Sequence, residues 1–307
     1  MVKKVFVITL NYKGDKNTKE LLESFLKVDK SSFLLTFLIV DNYPKKPIEI
    51  DTDKYKGLNL KVIYNRENLG FSGGNNKGIK YALEKGADYV LLINNDTTVD
   101  ANFLKELFEI SEERENVGAV APKIYFERGY EFHKDRYNAP ERGRVIWYAG
   151  GEIDWHNVIA KHRGVDEVDI GQYNETSETE FASGCAMLIK SEVLRKVGLF
   201  DEKYFLYYED SDLSERIRGK GYKIYYCPSS VIWHKNAASS GGSGSDLQDY
   251  YITRNRMLFS LKYAPPRIKV AIIRQSLGFL LSGRMWQKKG VVDFYLRRWG
   301  KGEIPKD

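Results

Sequence analysis

The segment YVLLINNDTTVD, from Tyr89 to Asp100, restricts the possible folds of this chain more than any other. Its five leading apolar residues are followed at once by Asn94, Asn95 and Asp96. A short apolar run bounded by turn formers predicts a strand buried on both faces, as in a parallel sheet. Ligands gather beyond the carboxyl ends of such strands, so Asp96 is a candidate ligand-binding or metal-binding carboxylate. Alternatively, these polar residues only turn the chain and cap the next helix.

Two earlier apolar runs also end in polar residues. VFVITL precedes Asn11, and FLLTFLIV, from Phe33 to Val40, precedes Asp41. The first is followed by an amphipathic helix that we place from Thr18 to about Val28, and LKVIY at Leu60–Tyr64 predicts a third strand. Buried strands that alternate with helices indicate an α/β fold. A dinucleotide-binding unit would place GxGxxG after the first strand, whereas NYKG stands there, which argues against NAD binding.

A glycine-rich segment, NRENLGFSGGNNKG, begins at Asn65. We expect its glycines, with Gly70 the first, to precede a helix from about Asn75 to Lys85. Such an entry lets backbone N–H groups approach an anion at the positive end of the helix dipole. The asparagines of the segment, among them Asn68 and Asn76, add hydrogen-bonding side chains where a ligand would lie. It contains no GK[ST] and is not a Walker loop; a loose surface loop is the alternative.

Acidic residues and a histidine follow later in the chain. Glu209 and Asp210 come just before a predicted helix from Ser211 to Arg218, where they are candidate functional acids or simple caps. His234 ends the second of two predicted strands, Lys223–Tyr226 and Ser230–Trp233. A single histidine at a strand end is more often structural than a ligand. We also expect Ser191 to cap a short helix that ends at Val197.

Composition and charge divide the chain unevenly. The 307 residues are 42% hydrophobic and 29% charged, as in an ordinary globular protein. The two cysteines lie far apart, which favours a reducing cytoplasm, and no apolar run reaches the roughly 18 residues of a membrane span. From Arg254 to the end, 13 basic residues face 3 acidic ones, whereas the rest of the chain has a net charge of −4. The basic segment therefore predicts an anionic partner surface.

The same C-terminal segment is amphipathic. After SSGGSGS at Ser239–Ser245, which predicts a flexible loop, we place one helix from Tyr250 to Leu261 and another from Ile268 to Leu281. The second carries Ile272, Ile273, Leu277 and Leu280, and tryptophans lie among basic residues further on. This pattern is typical of a helix in a membrane interface, although the apolar face could equally pack on the body of the protein. Nucleic acid is disfavoured, because phosphates would leave that face unused.

Four motifs in order resemble one family: VFVITLNY with VDN at Val40–Asn42, NLGFSGGNNKG, LLINND, and ASGCAMLI followed by GLFDEKYFLYYEDSDLSERIRGKGY and WH. The chain resembles family-2 inverting glycosyltransferases, especially rhamnosyltransferase-like and galactofuranosyltransferase-like members of polysaccharide biosynthesis. The resemblance implies a GT-A fold: a Rossmann-like, mostly parallel central sheet flanked by helices. We expect a catalytic domain over residues 1–245 and a basic amphipathic helical extension over residues 246–307.

The resemblance also implies roles for single residues. The nucleotide of a nucleoside-diphosphate sugar, dTDP-rhamnose or a UDP-sugar, would be held by a group on the first strands and the glycine-rich segment: Thr9, Asn11, Asp41, Asn68, Gly70 and Asn76. LLINND occupies the place of the family's DxD motif, with Asn94 in place of the first Asp and Asn95 beside it. Asp96 and His234 would bind a divalent cation, Mn²⁺ or Mg²⁺. Asp210 would be the base, and Glu209 would orient the base or the acceptor.

The acceptor implied by the resemblance is a hydroxyl of a lipid-linked or growing glycan. The polar region between Phe126 and Thr179 is our candidate for acceptor recognition, and peripheral contact of the basic helices would place the enzyme at the cytoplasmic face of the plasma membrane. Assembly into a homo-oligomer stays open. A sugar-nucleotide pyrophosphorylase is disfavoured because its GxGxR signature is missing after the first strand. A non-catalytic carbohydrate-binding or scaffold protein on the same fold is the alternative from another class.

Overall fold

The protein is built on one ten-stranded sheet flanked by helices. The computed structural model describes residues 2–236 and 245–303. The strands are β1 (Lys3–Asn11), β2 (Phe33–Asp41), β3 (Leu60–Tyr64), β4 (Tyr89–Ile93), β5 (Thr97–Val99), β6 (Val117–Phe126), β7 (Ile146–Tyr148), β8 (Gly151–Asp154), β9 (Ile159–His162), β10 (Ser177–Glu178), β11 (Ala186–Lys190) and β12 (Lys223–His234). The helices are α1 (Asp15–Phe25), α2 (Gly70–Glu84), α3 (Phe103–Glu113), α4 (Ser191–Val197), α5 (Glu209–Gly219), α6 (Asp246–Tyr263), α7 (Pro266–Ser282) and α8 (Met285–Tyr295).

The sheet has the strand order β10-β12-β6-β11-β4-β1-β2-β3, with β5 paired to β12 and β7 paired to β6. The pairs β1–β2, β1–β4, β2–β3 and β6–β12 are parallel. Strand β11 is antiparallel to both of its neighbours, β4 and β6. Strands β8 and β9 form a separate hairpin. The predicted α/β fold with a mostly parallel sheet is therefore confirmed.

The buried strands explain why the polar strand ends come together. Every residue of β4 is buried, as the uninterrupted apolar run predicts. Strands β1 and β2 are in register such that Asn11 is paired with Asp41. Because neighbouring parallel strands end at the same edge of the sheet, the polar residues that follow β1, β2 and β4 share one edge.

The glycine-rich segment is helical rather than a turn, which corrects our prediction. Helix α2 begins at Gly70, so that Gly73, Gly74 and Gly78 lie inside it. A Cβ on Gly74 would lie 2.4 Å from Leu10 Cδ1, and one on Gly78 would lie 2.6 Å from a methyl carbon of the neighbouring strand β1. These glycines are needed because α2 packs directly against β1, and the packing overrides their low helix propensity.

Other boundaries also differ from the predicted ones. Helix α5 begins at Glu209, two residues earlier than expected, and the two predicted strands before His234 form one strand, β12, with an irregular register between Cys227 and Val231. Ser191 is the first residue of α4 and makes no cap, so that prediction was wrong. Thr18 lies inside α1, which begins at Asp15.

The C-terminal helices pack against the rest of the chain. Helix α6 contributes Met257, Leu258 and Phe259 to the main hydrophobic core. Helix α7 turns Ile272 inward, whereas Leu277 and Leu281 are 52% and 84% exposed. Within residues 2–236 and 245–303, no helix combines the length and the apolar character needed to cross a membrane. Most of the predicted flexible loop, Ser239–Ser245, lies outside the described residues, and the boundary between residues 245 and 246 stays a prediction.

Candidate active site

The ends of β1 and β2 form a buried polar cluster around Asp41. The Asp41 carboxylate accepts hydrogen bonds from the Asn11 side-chain amide at 3.0 Å and from the backbone N–H groups of Tyr43 and Ile48 at 3.3 and 2.9 Å. The Thr9 side chain, two residues before Asn11, is buried, and its hydroxyl has no partner among the described residues. A buried carboxylate fixed by short backbone bonds, with an unpartnered hydroxyl nearby, can bind a polar heterocycle such as a nucleotide base.

A second hydrogen-bond network joins β2 to the start of α2. The Asn42 side-chain amide donates to Asn68 Oδ1 at 3.1 Å and to the Gly70 carbonyl at 2.9 Å. Asn68 Oδ1 also accepts from the Gly70 N–H at 2.8 Å, and Asn65 donates to Asn42 Oδ1 at 2.9 Å. Gly70 has a φ of +71°, a backbone conformation that would be strained for a residue with a side chain. The predicted residues Asn68 and Gly70 are therefore joined by Asn42, which directly follows Asp41, to the polar cluster.

Asn76, by contrast, makes its side-chain hydrogen bonds to other residues of the protein. Its side-chain amide donates to the Phe200 carbonyl and to Glu202, both at 2.9 Å, and its Oδ1 accepts from the Phe200 N–H at 3.0 Å. These bonds connect α2 to the segment that precedes α5. The hydrogen bonds of Asn76 thus hold α2 to this segment and do not join Asn76 to the polar cluster around Asp41.

Asp96 and His234 form a buried pair beyond the end of β4. Strand β12 pairs with β5 so that His234 is opposite Thr97, the residue after Asp96. The His234 Nε2 atom lies 3.1 Å from Asp96 Oδ1. Asn95 donates to Thr18 Oγ1 at 3.0 Å and so connects this region to β1 and α1. The sheet register therefore brings together two residues that are far apart in sequence.

Charge and burial shift the pKa values of Asp96 and His234 in opposite directions. Burial raises the pKa of Asp96, but the neighbouring His234 outweighs it, and the pKa lies below its usual value. Burial lowers the pKa of His234, but Cys185 and Asp96 outweigh it and raise the pKa well above 6.5. The Trp147 ring packs edge-on against His234 with centroids 4.7 Å apart. The Trp147 ring also contacts the ring of His162. Burial lowers the pKa of His162 to about 4.

The pair has the chemistry of a metal site that is completed by a ligand. Two adjacent ligands of an octahedral cation, each about 2.1 Å from it, are about 3 Å apart, which the Asp96–His234 separation matches. The buried Nδ1 of His234 has no hydrogen-bond partner among the described residues. In the part of the chain that the structure describes, no three His, Cys, Asp or Glu residues are grouped to hold a metal. A cation here would need oxygen atoms from a bound substrate.

Glu209 and Asp210 occupy the first turn of α5. The Asp210 carboxylate accepts from the backbone N–H groups of Gly184 at 2.9 Å and Ser211 at 2.7 Å. Burial raises the pKa of Asp210, while these bonds act against the rise. Glu209 is buried, and its Oε2 has no partner among the described residues. Burial, and then the charge of Asp210, raise the pKa of Glu209 well above its usual value.

Gly184 is the point at which these parts meet. Its N–H binds Asp210, and the carbonyl of the next residue, Cys185, accepts from the Asn94 N–H at 2.8 Å. A Cβ on Gly184 would lie 3.1 Å from the Phe71 ring in the first turn of α2. The carboxylate of α5, the polar end of β4 and the Phe71 ring of α2 therefore all lie against the Gly184–Cys185 segment.

A comparison with protein families now identifies the chain. A family model described as "Glycosyltransferase like family 2" matches residues 3–258. The chain belongs to glycosyltransferase family 2. The glycosyltransferase is 24% identical over 286 residues to the low-salt glycan biosynthesis hexosyltransferase Agl10 of Haloferax volcanii, a match that covers 93% of this chain and 84% of the relative. It is 26% identical over 197 residues to N-acetylglucosaminyl-diphospho-decaprenol L-rhamnosyltransferase of Mycobacterium tuberculosis, covering 60% of this chain and 61% of the relative.

The solved structures confirm the fold. The glycosyltransferase aligns over its whole length with 59% of the chain in a crystal structure of GalNAc-T7 with UDP, GalNAc and Mn²⁺, at a TM-score of 0.58 and 15% identity. The predicted GT-A fold is thereby confirmed. The glycosyltransferase spans about 60% of the length of the chain in this structure and of the mycobacterial relative.

Proposed function

We propose that this glycosyltransferase moves a sugar from a nucleoside-diphosphate sugar to a hydroxyl of a glycan or lipid-linked glycan, with inversion at the anomeric carbon. The single observation that carries the proposal is that the Asp210 carboxylate and the end of β4 both bind the Gly184–Cys185 segment. Asp210 accepts from the Gly184 N–H, and the Asn94 N–H, two residues before Asp96, donates to the Cys185 carbonyl. One side of such a site can hold the donor's diphosphate, while the other can take a proton from the acceptor. The named relatives act in glycan assembly, which agrees with this donor and acceptor class.

Asp210 is the proposed base. In one displacement, the acceptor oxygen forms a bond to the anomeric carbon, the bond from that carbon to the diphosphate oxygen breaks, and the hydroxyl proton passes to Asp210. A carboxyl group whose pKa is raised by burial is a better proton acceptor than an exposed one, provided that it is ionised at the working pH. Glu209, buried directly beside it, is proposed to orient the base or the acceptor.

Asp96 and His234 are the proposed ligands of Mn²⁺ or Mg²⁺. A cation bound there would supply a positive charge that stabilises the nucleoside diphosphate as the leaving group. Asn94, in place of an acid, means that the protein brings only one carboxylate to this position. Asp41, Thr9 and Asn11 are proposed to hold the base of the nucleotide, and Asn68 with Gly70 to shape the pocket between base and diphosphate.

The exposed apolar face of α7 is proposed to contact the membrane that carries a lipid-linked acceptor. Val270, Ile273, Leu277 and Leu281 follow helical spacing on one side of α7 and are all exposed. The helical positions of Arg267 and Arg274 adjoin this face. An apolar stripe bordered by cations matches the acyl chains and anionic headgroups of a bilayer, and it would place the enzyme peripherally on the cytoplasmic leaflet.

The proposed reaction is tested with purified protein, a panel of dTDP-, UDP- and GDP-sugars, and prenyl-diphosphate glycan acceptors. Thermal shift selects the donor, and product release with the anomeric configuration by NMR shows transfer and inversion. We expect Asp210→Asn to lower kcat by at least about 1,000-fold while nucleotide-diphosphate affinity changes less than threefold. Full activity of Asp210→Asn would refute the assignment of the base. Transfer that is equally fast in EDTA would refute the assignment of the metal.

The membrane contact is tested with two equally exposed residues. Leu281 on α7 is 84% exposed, and Ile170, in the segment between β9 and β10, is 85% exposed. We expect Leu281→Glu to weaken co-sedimentation with vesicles of phosphatidylglycerol and phosphatidylcholine, while Ile170→Glu leaves it unchanged. Equal binding of both variants and the wild type would contradict the proposed surface.

A further inference from the structure

Two buried polar residues of α6, Arg254 and Asn255, have no part in the site as described so far. Both side chains are 0% exposed, in a helix whose other inward-facing residues are mainly apolar or aromatic. A buried guanidinium and a buried amide are costly unless their donors are satisfied. The position of their hydrogen-bond acceptors therefore indicates what these residues are for.

Most of their acceptors lie in one short segment, residues 203–207, which we call the α5 approach loop. Arg254 Nη1 also donates to the Arg298 carbonyl at 3.2 Å and to the Tyr250 hydroxyl at 3.3 Å. The Asn255 amide donates to the carbonyl oxygens of Tyr204 and Leu206 at 2.8 Å and of Tyr207 at 2.9 Å. The Arg254 guanidinium donates to the carbonyls of Lys203 at 3.2 Å and Tyr204 at 3.1 Å. The Arg254 Nε atom donates to Asn255 Oδ1 at 3.0 Å, so the two side chains form one unit.

The α5 approach loop has a backbone conformation that does not persist unaided. Phe205 and Tyr207 have φ values of +63° and +69°, and Tyr208, which follows the loop, has a φ of +73°. Aromatic residues rarely adopt the left-handed region, and such conformations persist only when the surrounding structure holds them. Arg254 and Asn255 supply hydrogen-bond donors to four carbonyl groups of the loop, those of Lys203, Tyr204, Leu206 and Tyr207.

The loop connects both halves of the proposed active site. Glu209 and Asp210 begin α5 immediately after Tyr208. The Phe205 carbonyl accepts hydrogen bonds from the N–H groups of Phe71 at 2.7 Å and Ser72 at 3.3 Å, in the first turn of α2. A displacement of the loop would therefore move the proposed base and the donor-side helix relative to each other.

We propose that Arg254 and Asn255 are positioning residues that hold the α5 approach loop in its strained conformation and thereby align Asp210 with the donor. This inference rests on the proposed function, because it assigns the residues to that reaction. It also explains why the C-terminal segment belongs to the catalytic unit: α6 supplies the fixed support against which the base is placed. Neither residue touches the reacting atoms.

The test uses Asn255→Asp, which keeps the side-chain size but directs an oxygen at three carbonyl oxygens, and Asn255→Leu, which removes the donors. The matched control is Tyr251→Phe in the same helix, which deletes one hydrogen bond to the Lys301 carbonyl and keeps the ring stacked on Phe205. We expect both Asn255 variants to lower kcat about 100-fold, because small misplacements of a catalytic group have effects of that size. Nucleotide-diphosphate affinity should change less than threefold, and Tyr251→Phe should keep wild-type kcat.

Hydrogen exchange provides a readout that does not depend on activity. The amides of Phe71 and Ser72 should exchange at least tenfold faster in the Asn255 variants and at the wild-type rate in Tyr251→Phe. Arg254→Lys, which keeps the charge with fewer donors, should show the same changes to a smaller degree and serves if the Asn255 variants do not fold. Unchanged kcat in an active enzyme, or unchanged exchange at Phe71 and Ser72, would overturn the inference. A wild-type protein that transfers no sugar would instead overturn the proposed function, and the exchange result would still decide on the loop.

Discussion

Replacing Gly78 by alanine gives the sharpest test of how α2 is placed on the sheet. The added Cβ would lie 2.6 Å from Ile8 Cγ2 and 3.1 Å from Val40 Cγ2. Carbon atoms in contact are about 3.5–4.0 Å apart, so α2 or the strands must shift by about 1 Å. Both neighbours are β-branched, wholly buried and on adjacent strands, which leaves little room to move.

The expected change in the free energy of unfolding is the difference of two effects. Overpacking a core costs about 1–3 kcal/mol, and this site belongs at the upper end because its neighbours are rigid. Alanine in place of glycine inside a helix stabilises the folded state by about 1 kcal/mol. We therefore expect Gly78→Ala to lower the free energy of unfolding by about 2 kcal/mol. Gly278, inside α7, is the matched control, since a Cβ there meets nothing within 4 Å. Gly278→Ala should raise the free energy of unfolding by about 1 kcal/mol.

Urea unfolding followed by circular dichroism measures both variants. The two midpoints should move in opposite directions from the wild type, with unchanged slopes, and should correspond to a separation of about 3 kcal/mol. If Gly78→Ala stabilised the protein, as Gly278→Ala is expected to do, the close packing of α2 against β1 and β2 would be wrong. Equal and small shifts in both variants would also refute the reasoning.

Three further predictions concern the acidic residues. The raised pKa of Glu209 means that the folded state keeps a proton which the unfolded chain releases above about pH 4.5. Stability is therefore lost as the pH rises from that value toward the folded-state pKa, and Glu209→Gln should raise the melting temperature at pH 8 but hardly at pH 4.5; no pH dependence of the difference would contradict this. Asp212→Ala should lower the free energy of unfolding by about 3 kcal/mol, because it removes a buried carboxylate that binds Arg216 and Lys262, and denaturant titration measures it. Asn94→Asp should tighten Mn²⁺-dependent nucleotide binding in calorimetry, and weaker binding would count against a cation beside Asp96.

The strands were predictable because their signal is local. Continuous apolar runs mark β1, β2 and β4, and the polar residue after each run is where the chain leaves the buried sheet. Asp41 and Asp96 could therefore be selected before any contact was known. The first turn of α2 was not predictable in the same way, because the reason for its glycines is the surface of β1, which only the folded sheet supplies.

The sequence patterns could not show which residues far apart in the chain contact each other. The alternation of residues in β12 shows that His234 ends a strand, but not that β5 lies opposite it. Asn42, which binds Asn68 and Gly70, belongs to the VDN motif. Its place directly after Asp41 makes it a reasonable candidate for the site, but the motif does not show which residues it binds. Arg254 and Asn255 were read as part of an amphipathic helix. Their signal was present, since the YYITRNRMLF segment places them at the helical spacing of buried residues.

The pairing of β12 with β5 has a consequence for how the protein matures. Asp96 and His234 are separated by more than a hundred residues, and only the last strand of the sheet brings them within 3.1 Å. A nascent chain that has not yet added β12 cannot present both groups to a cation, and a slip of one residue in that strand would turn the imidazole to the opposite face. If Asp96 and His234 bind a cation as proposed, Mn²⁺ would stabilise only chains in which β12 is correctly paired, and cation binding would report that the sheet is complete.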